Sequence, residues 1–312
     1  MSDLPPTTLG GEADPNAWYF NRVGEEGPLP NPVGHTFPLI THDASERWRI
    51  VGTGFYVNDS GMFATARHVI EDVMQNGHQI SPLVILHLHS NLGLFGPSEV
   101  LFRPIAQCWL GETADVALGY AASATNSSTG EQLKNWCWTL SWRVPNIGAV
   151  AATYAFPNSA VSADGRRIRL SPNAYMGRVQ AFGDHRDRVM LPFPFIQVDF
   201  RIHGAASGGP TLSGGDVIGI NCTEYPENVD HPPGPGFCAQ ARCLSDAFFD
   251  DFVLPNETSP RLVTFDECVR TGVVKVRDYA PPPAGAPRRG TLVRPHMEYV
   301  APRPAVDIEV WA

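Results

Sequence analysis

No stretch of the 312-residue sequence is apolar for long enough to span a bilayer. The N-terminus, Met1-Ser2-Asp3-Leu4-Pro5-Pro6, has no basic start followed by an apolar core. Neither a secretory signal nor a membrane anchor is therefore expected, and the sequence predicts a cytoplasmic protein with no membrane partner. Clustered Lys and Arg are also lacking. The formal net charge is -9, and phosphate binding needs concentrated positive charge, which argues against nucleic acid. Arg166, Arg167 and Arg169 read instead as a solvated hairpin tip. Matched metal-ligand sets are missing too: Cys238 and Cys243 have no second Cys or His pair nearby. His87 and His89 share a strand face without a third ligand, so they read as surface or rim histidines. No metal or other cofactor is expected. The six cysteines (Cys108, Cys137, Cys222, Cys238, Cys243, Cys268) read as mostly buried thiols, since a cytosolic chain of this size needs no disulfide staples.

Glycine and proline are abundant, at 29 each, and the apolar runs are short and broken by turns. That pattern favours an all-β barrel or sandwich. Residues Met1 to about Thr41 are rich in Pro, Gly and Glu and read as an irregular arm, with Trp18-Tyr19-Phe20 as its anchor. Strands are predicted over Trp48–Val57, Met62–Ala66, Leu83–Leu88, Val100–Trp109 and Val116–Tyr120, with a hairpin turn at Asn58–Gly61 and a helical turn at Val69–Met74. The small polar segment Ser123–Glu131 reads as a crossing between lobes. Beyond it, strands are predicted over Trp136–Trp142, Ala149–Ala155, Arg167–Leu170, Gly177–Phe182, Phe195–Val198 and Val217–Asn221. Similar strand lengths on both sides suggest two β-barrels of comparable size. Leu244–Val253 reads as an amphipathic helix that closes the domain, and Leu262–Val276 as a further strand or short helix. Ala280–Pro304 is a Pro-rich extended tail. It ends in Val306, Ile308 and Val310, whose alternation fits a strand added to a sheet edge in this chain or a partner's.

Three short stretches carry chemistry. Gly204-Ala205-Ala206-Ser207-Gly208-Gly209-Pro210 is a turn so poor in side chains that another backbone can approach it, leaving one hydroxyl exposed. Phe63-Ala64-Thr65-Ala66-Arg67-His68 is a strand-like run that ends at a histidine, and Asp115 opens the apolar run Val116-Ala117-Leu118. A serine hydroxyl is a poor nucleophile at neutral pH. It needs a base within hydrogen-bond reach, and the base needs an acceptor that fixes its tautomer. His68, Asp115 and Ser207 supply those groups, and backbone N–H groups around Ser207 would stabilise an oxyanion.

These motifs, in the order His, Asp, Ser, resemble the chymotrypsin-like (trypsin-like, PA clan) serine peptidases. Gly52-Thr53-Gly54-Phe55 and Val217-Ile218-Gly219-Ile220-Asn221 resemble the flanking strands of a leaderless, HtrA-like bacterial branch, without its PDZ domain. Asp199 stands where that branch often carries an aspartate. The resemblance covers Trp48 to Val253 and implies two six-stranded antiparallel β-barrels with a C-terminal helix and irregular extensions. The domains it suggests are an arm over 1–44, a peptidase domain over 45–255 (barrels about 45–125 and 132–255) and an extension over 256–312. It further implies catalysis by His68, Asp115 and Ser207, an oxyanion hole at Ala205, Ala206 and Ser207, and substrate contacts from Arg201, His203, Asn221, Cys222 and Thr223. Arg201, at the pocket base, would favour an acidic side chain before the scissile bond, unless it faces solvent or pairs with Asp199.

The sequence departs from the family in three places. Ala206 replaces the aspartate with which secreted relatives capture a new N-terminus, so activation by N-terminal insertion is not expected. Ala205 replaces the usual oxyanion-hole glycine, and at a positive φ it would be strained. The histidine-flanking cysteine is missing. A protein or peptide substrate is implied, with a regulatory protein partner at the N-terminal arm or the Pro-rich tail. The alternative is a catalytically silent binding or scaffold module on the same fold.

Overall fold

A computed structural model of the chain describes residues 23–24, 27–28, 32–43, 45, 47–75, 78–89, 99–125, 130–184, 194–224, 235–294 and 307–310. Trp18, Tyr19 and Phe20 lie outside the described residues. Six strands build a first barrel: β1 (Thr36–His42), β2 (Trp48–Tyr56), β3 (Met62–Thr65), β4 (Leu83–His89), β5 (Glu99–Gly111) and β6 (Ala117–Ala121). They pair antiparallel in the order β6-β3-β2-β1-β4-β5, and β5 pairs back onto β6 to close the sheet. Six more build the second: β7 (Val150–Ala155), β8 (Asn173–Gly183), β9 (Phe195–Val198), β10 (Pro210–Ser213), β11 (Asp216–Glu224) and β12 (Gly236–Gln240). Their order is β10-β7-β8-β9-β12-β11, closed by pairing of β10 with β11. The architecture is therefore two closed six-stranded antiparallel barrels.

Local chemistry sets the turns. The Asn58 side-chain oxygen accepts from the N–H groups of Ser60, Gly61 and Met62, which folds the chain back from β2 into β3. One apolar cluster then runs through both barrels, from Phe37, Phe63 and Trp109 to Leu140, Leu212 and Ile220. Burial of these large side chains, each contributing about 1.5–3 kcal/mol, holds the two lobes as one body. The cysteines are free thiols, and Cys108, Cys222, Cys238 and Cys268 are buried.

Three readings need correction. The arm read as irregular to about Thr41 contains β1, a central strand of the first barrel, so that barrel begins at Thr36 rather than about residue 45. Pro38 hid it, because proline cannot donate to a ladder and argues against a central strand; a register shift between Leu39 and Ile40 accommodates the segment. The helix expected over Leu244–Val253 is a 3-10 turn (Ala241–Asp246) followed by a strand (Phe248–Phe252) paired with Arg261–Thr264. Phe249 and Phe252 are spaced for a helix face, but a bulge with Asp251 at φ 51° brings both inward from a strand. His87 is buried rather than at a rim, its ring hydrogen-bonded to the Tyr56 hydroxyl at 2.9 Å.

Two helices follow other elements: α1 (Arg67–Glu71) after β3 and α2 (Phe265–Arg270) after the Arg261–Thr264 strand. Among the described residues no helix is long and apolar enough to cross a membrane. The C-terminal extension is paired into the sheets. Val276–Arg277 lies parallel to Leu140–Ser141, Gly290–Val293 pairs with the end of β5, and Asp307–Val310 lies parallel to Arg167–Leu170.

Candidate active site

His68 is the second residue of α1, carried there directly from the buried strand β3. Asp115 sits in the turn between β5 and β6, where Gly111 N–H donates to the Val116 carbonyl at 2.9 Å. That turn is braced on two sides: Arg67 donates to the Gly111 carbonyl at 2.7 Å, and Glu112 N–H donates to the Arg289 carbonyl at 3.2 Å. The Asp115 carboxylate grips His68 at two points. Oδ1 accepts from the backbone N–H at 3.0 Å, and Oδ2 lies 2.8 Å from Nδ1. An ionised carboxylate only accepts, so Nδ1 carries the proton and Nε2 presents its lone pair outward.

The electrostatics agree with this geometry. Burial pulls the imidazole pKa down, but the hydrogen bond and charge of Asp115, with Asp72 and Glu71 behind, raise it above the ordinary histidine value. Burial likewise pushes the Asp115 carboxyl up, and the opposing bonds and charge of His68 leave it below the ordinary carboxylate range.

Ser207 follows a 3-10 turn, Gly204–Ala206, and leads into β10. Its side chain donates to the Cys222 carbonyl at 2.9 Å, rather than to His68. The Cys222 thiol has two carbonyls within reach, Ile220 at 3.3 Å and Asp115 at 3.5 Å, and burial raises that thiol's pKa well above its usual value. Cys222 thus lies against both Ser207 and the Asp115 main chain. The strand order and the closure of both sheets decide the architecture. The fold is the chymotrypsin-like double barrel.

No protein-family model matches the chain, and no curated protein matches it. Solved structures similar to it include Deg5, at 17% identity over 67% of this chain and 84% of that one, with a TM-score of 0.46. The HtrA-type protease AlgW, as a serine-to-alanine variant with a tripeptide, is 18% identical over 67% of this chain and 57% of its own, at 0.47. The MamO protease domain from Magnetospirillum magneticum is 14% identical over 67% and 93%, at 0.46. The chain spans little more than half of AlgW's length. The assignment of the double barrel stands on strand order and closure.

The main chain of the serine turn is internally bonded. Ser207 N–H donates to the Gly204 carbonyl at 3.1 Å and Ala206 N–H to the His203 carbonyl at 2.8 Å. Two of the three amides expected to form an oxyanion hole are therefore spent on carbonyls of the turn itself. Ala205 is unstrained here, since the positive-φ non-glycine residues among those described are Asp251, Asn256 and Asp278. Gly208 is different. Its φ is +86°, and a Cβ there would lie 2.1 Å from both the Thr53 carbonyl oxygen and Thr65 Oγ1.

The expected substrate residues separate. Asn221 is fully buried, with its side chain bonded to Thr211 at 2.7 Å, Thr153 at 2.7 Å and the Ala206 carbonyl at 3.2 Å. It supports the serine turn from within the barrel and is not offered to a substrate. Cys222 faces Ser207, while Arg201, His203 and Thr223 are part-exposed around the loop. His203 lies beside the Tyr175 ring at 5.8 Å. Asp199 accepts from the Arg178 N–H at 2.6 Å, close over Gly177.

Sequence reasoning missed Thr53. Its N–H donates to the Ser207 carbonyl at 2.8 Å, its hydroxyl to the Ala205 carbonyl at 2.6 Å, and its carbonyl accepts from the Thr65 hydroxyl at 2.7 Å. The signal was a hydroxyl between two glycines in Gly52-Thr53-Gly54. Gly52 is needed because a Cβ there would meet Val69, the residue beside His68, at 2.7 Å.

Proposed function

We propose that the chain is a serine endopeptidase that cleaves peptide bonds of protein substrates through an acyl-enzyme and rests in a closed state. The observation that carries this reading is the two-point hold of Asp115 on His68, which leaves Nε2 as the acceptor. A peptide carbonyl would be attacked by Ser207 Oγ after its proton passes to His68 Nε2. His68 would return that proton to the leaving amine, and water would repeat the sequence on the ester. Asp115 stabilises the imidazolium throughout.

Two local moves separate the closed form from that reaction. The Ser207 hydroxyl must rotate from the Cys222 carbonyl toward His68, and the Gly204–Ala205 peptide must turn so that Ala205 and Ser207 N–H groups face the oxyanion. Such an arrangement suits control by a partner or ligand that binds the open form better. Gly204 supports this reading: its φ is not positive here and a Cβ would meet nothing within 4 Å, so the closed form does not require glycine. A turn that must change its backbone does.

A fluorophosphonate probe tests the reading. Labelling of the full chain, lost in Ser207→Ala together with hydrolysis of a protein substrate, is the expected result. The competing reading is a silent binding module, favoured by the internal bonding of the Ser207 amide and hydroxyl. No labelling under any condition, with partner binding intact in Ser207→Ala, would establish it instead.

A further inference from the structure

The strand Asp307–Val310 pairs in parallel with Arg167–Leu170, which forms a hairpin with Ala160–Val161 between β7 and β8. Ile308 stands opposite Ile168 and Val310 opposite Leu170, while the acidic Asp307 and Glu309 occupy the register positions opposite Arg167 and Arg169. Ile308 packs on a cluster made of Ile168, Leu170, Tyr154 and Phe156 from the second barrel and Trp48 and Leu86 from the first.

That cluster reaches the serine turn by one short path. The Phe156 N–H donates to Thr53 Oγ1 at 3.4 Å. A hydroxyl that accepts from one group turns its own hydrogen elsewhere, and Thr53 gives it to the Ala205 carbonyl at 2.6 Å. The Ala205 carbonyl is held in the 3-10 turn in which Ser207 N–H is spent on Gly204. Phe156 and the Ala205 carbonyl thus meet at the Thr53 hydroxyl, so a displacement of Phe156 is passed to the turn.

We propose that Asp307–Val310 is an internal ligand of the Arg167–Leu170 edge, and that its docking holds the serine turn closed through Phe156 and the positioning residue Thr53. This rests on the peptidase reading for its purpose, and on geometry alone for its coupling. Among the described residues the docked strand has four residues, pairs in parallel with Arg167–Leu170 and has Ile308 as its apolar anchor, a short contact of the kind that opens locally. The partner that would displace it is an extended segment of the same alternation, acidic and apolar by turns, adding to the same edge.

Hydrogen exchange on full-length chains tests the coupling without needing catalysis. In Ile308→Asp the Ser207 and Ala206 amides should exchange about tenfold faster than in the wild type, while the interior amides of β11 keep their protection. Thr53→Val should give the same acceleration without loosening Arg167–Leu170. Unchanged exchange at Ala206 and Ser207, in an Ile308→Asp chain whose Arg167–Leu170 amides have lost protection, overturns the proposal. Should Ile308→Asp also lower β11 protection, Ile308→Ala is read by the same criterion. Faster exchange with no fluorophosphonate labelling would sink the peptidase reading and leave the coupling. Labelling with unchanged exchange would do the reverse.

Discussion

The Ser207 hydroxyl donates to the Cys222 carbonyl oxygen at 2.9 Å, so it is turned to the wall of the site rather than to His68. On the peptidase reading that bond breaks before a proton passes to His68. With the Ser207 amide also spent on Gly204, a reactive probe would on that reading meet a chain of which only a fraction is competent. Its apparent affinity falls by that fraction. The labelling rate should therefore level off with probe concentration at the rate of opening. A rate that climbs in strict proportion to fluorophosphonate, up to the chemical limit, would contradict a closed resting form.

Protonated His68 cannot accept from Ser207, so activity should rise with pH through the histidine pKa. Asp115 holds that pKa above the ordinary value, which places the half-rise above about 6.5. In Asp115→Asn the largest raising charge is gone, leaving Asp72 and Glu71 against burial, so the midpoint should move down, and on the peptidase reading kcat should fall by about 10⁴-fold, as it does when that aspartate is replaced in Ser-His-Asp enzymes. A pH–rate profile of kcat/KM for both chains checks the direction. An unmoved midpoint would mean that Asp115 does not set the charge of His68.

Gly208 and Gly204 should respond oppositely to alanine. A Cβ at Gly208 would strike the Thr53 carbonyl at a φ of +86°, and Gly208→Ala should cost ~3 kcal/mol or more in a denaturant titration. At Gly204 the Cβ has open space and φ is not positive, so Gly204→Ala should be neutral or stabilising by about 0.4–1 kcal/mol. The same change should slow labelling, because it favours the turn as it stands. Equal destabilisation by both would refute the distinction.

The helix α2 begins with a capping box, in which Thr264 accepts from Glu267 N–H at 3.2 Å and Glu267 accepts from Thr264 N–H at 2.8 Å. Thr264→Ala should cost about 1 kcal/mol. Burial raises the Glu267 pKa, but the Thr264 bonds and Arg261 leave it below its ordinary value. Its contribution is therefore present above the unfolded carboxylate pKa and is lost as pH falls through the folded one. Thermal melts of wild type and Thr264→Ala should converge as the solution becomes acidic.

Much of the barrel was legible because its strands begin and end at turn residues, as Asn58 to Gly61 and Phe195 to Val198 show. His68, Asp115 and Ser207 stood out because nucleophilic chemistry restricts the residue types; of the three, the structure bonds Asp115 to His68 and turns Ser207 to the Cys222 carbonyl. What stayed hidden was whatever reads identically in two conformations. Pro38 masked a central strand, and Phe249 with Phe252 fitted a helix as well as a bulged strand. Asn221 looked like a pocket residue, and only its three interior hydrogen bonds assign it to the support of the turn. The state of the serine turn was also beyond sequence, because Gly204 to Ser207 is compatible with either direction of one peptide plane.

Two of the three pairings of the C-terminal extension, Val276 with Leu140 and Gly290 with Gly111, join partners that are very distant along the chain. Such contacts form only after the intervening polypeptide has collapsed, and they make folding slow. Until Gly290–Val293 pairs with β5, the turn that carries Asp115 should lack its outer brace, the Glu112 bond to the Arg289 carbonyl. Refolding should accordingly restore barrel signal well before catalytic competence, a built-in delay between acquiring shape and acquiring teeth.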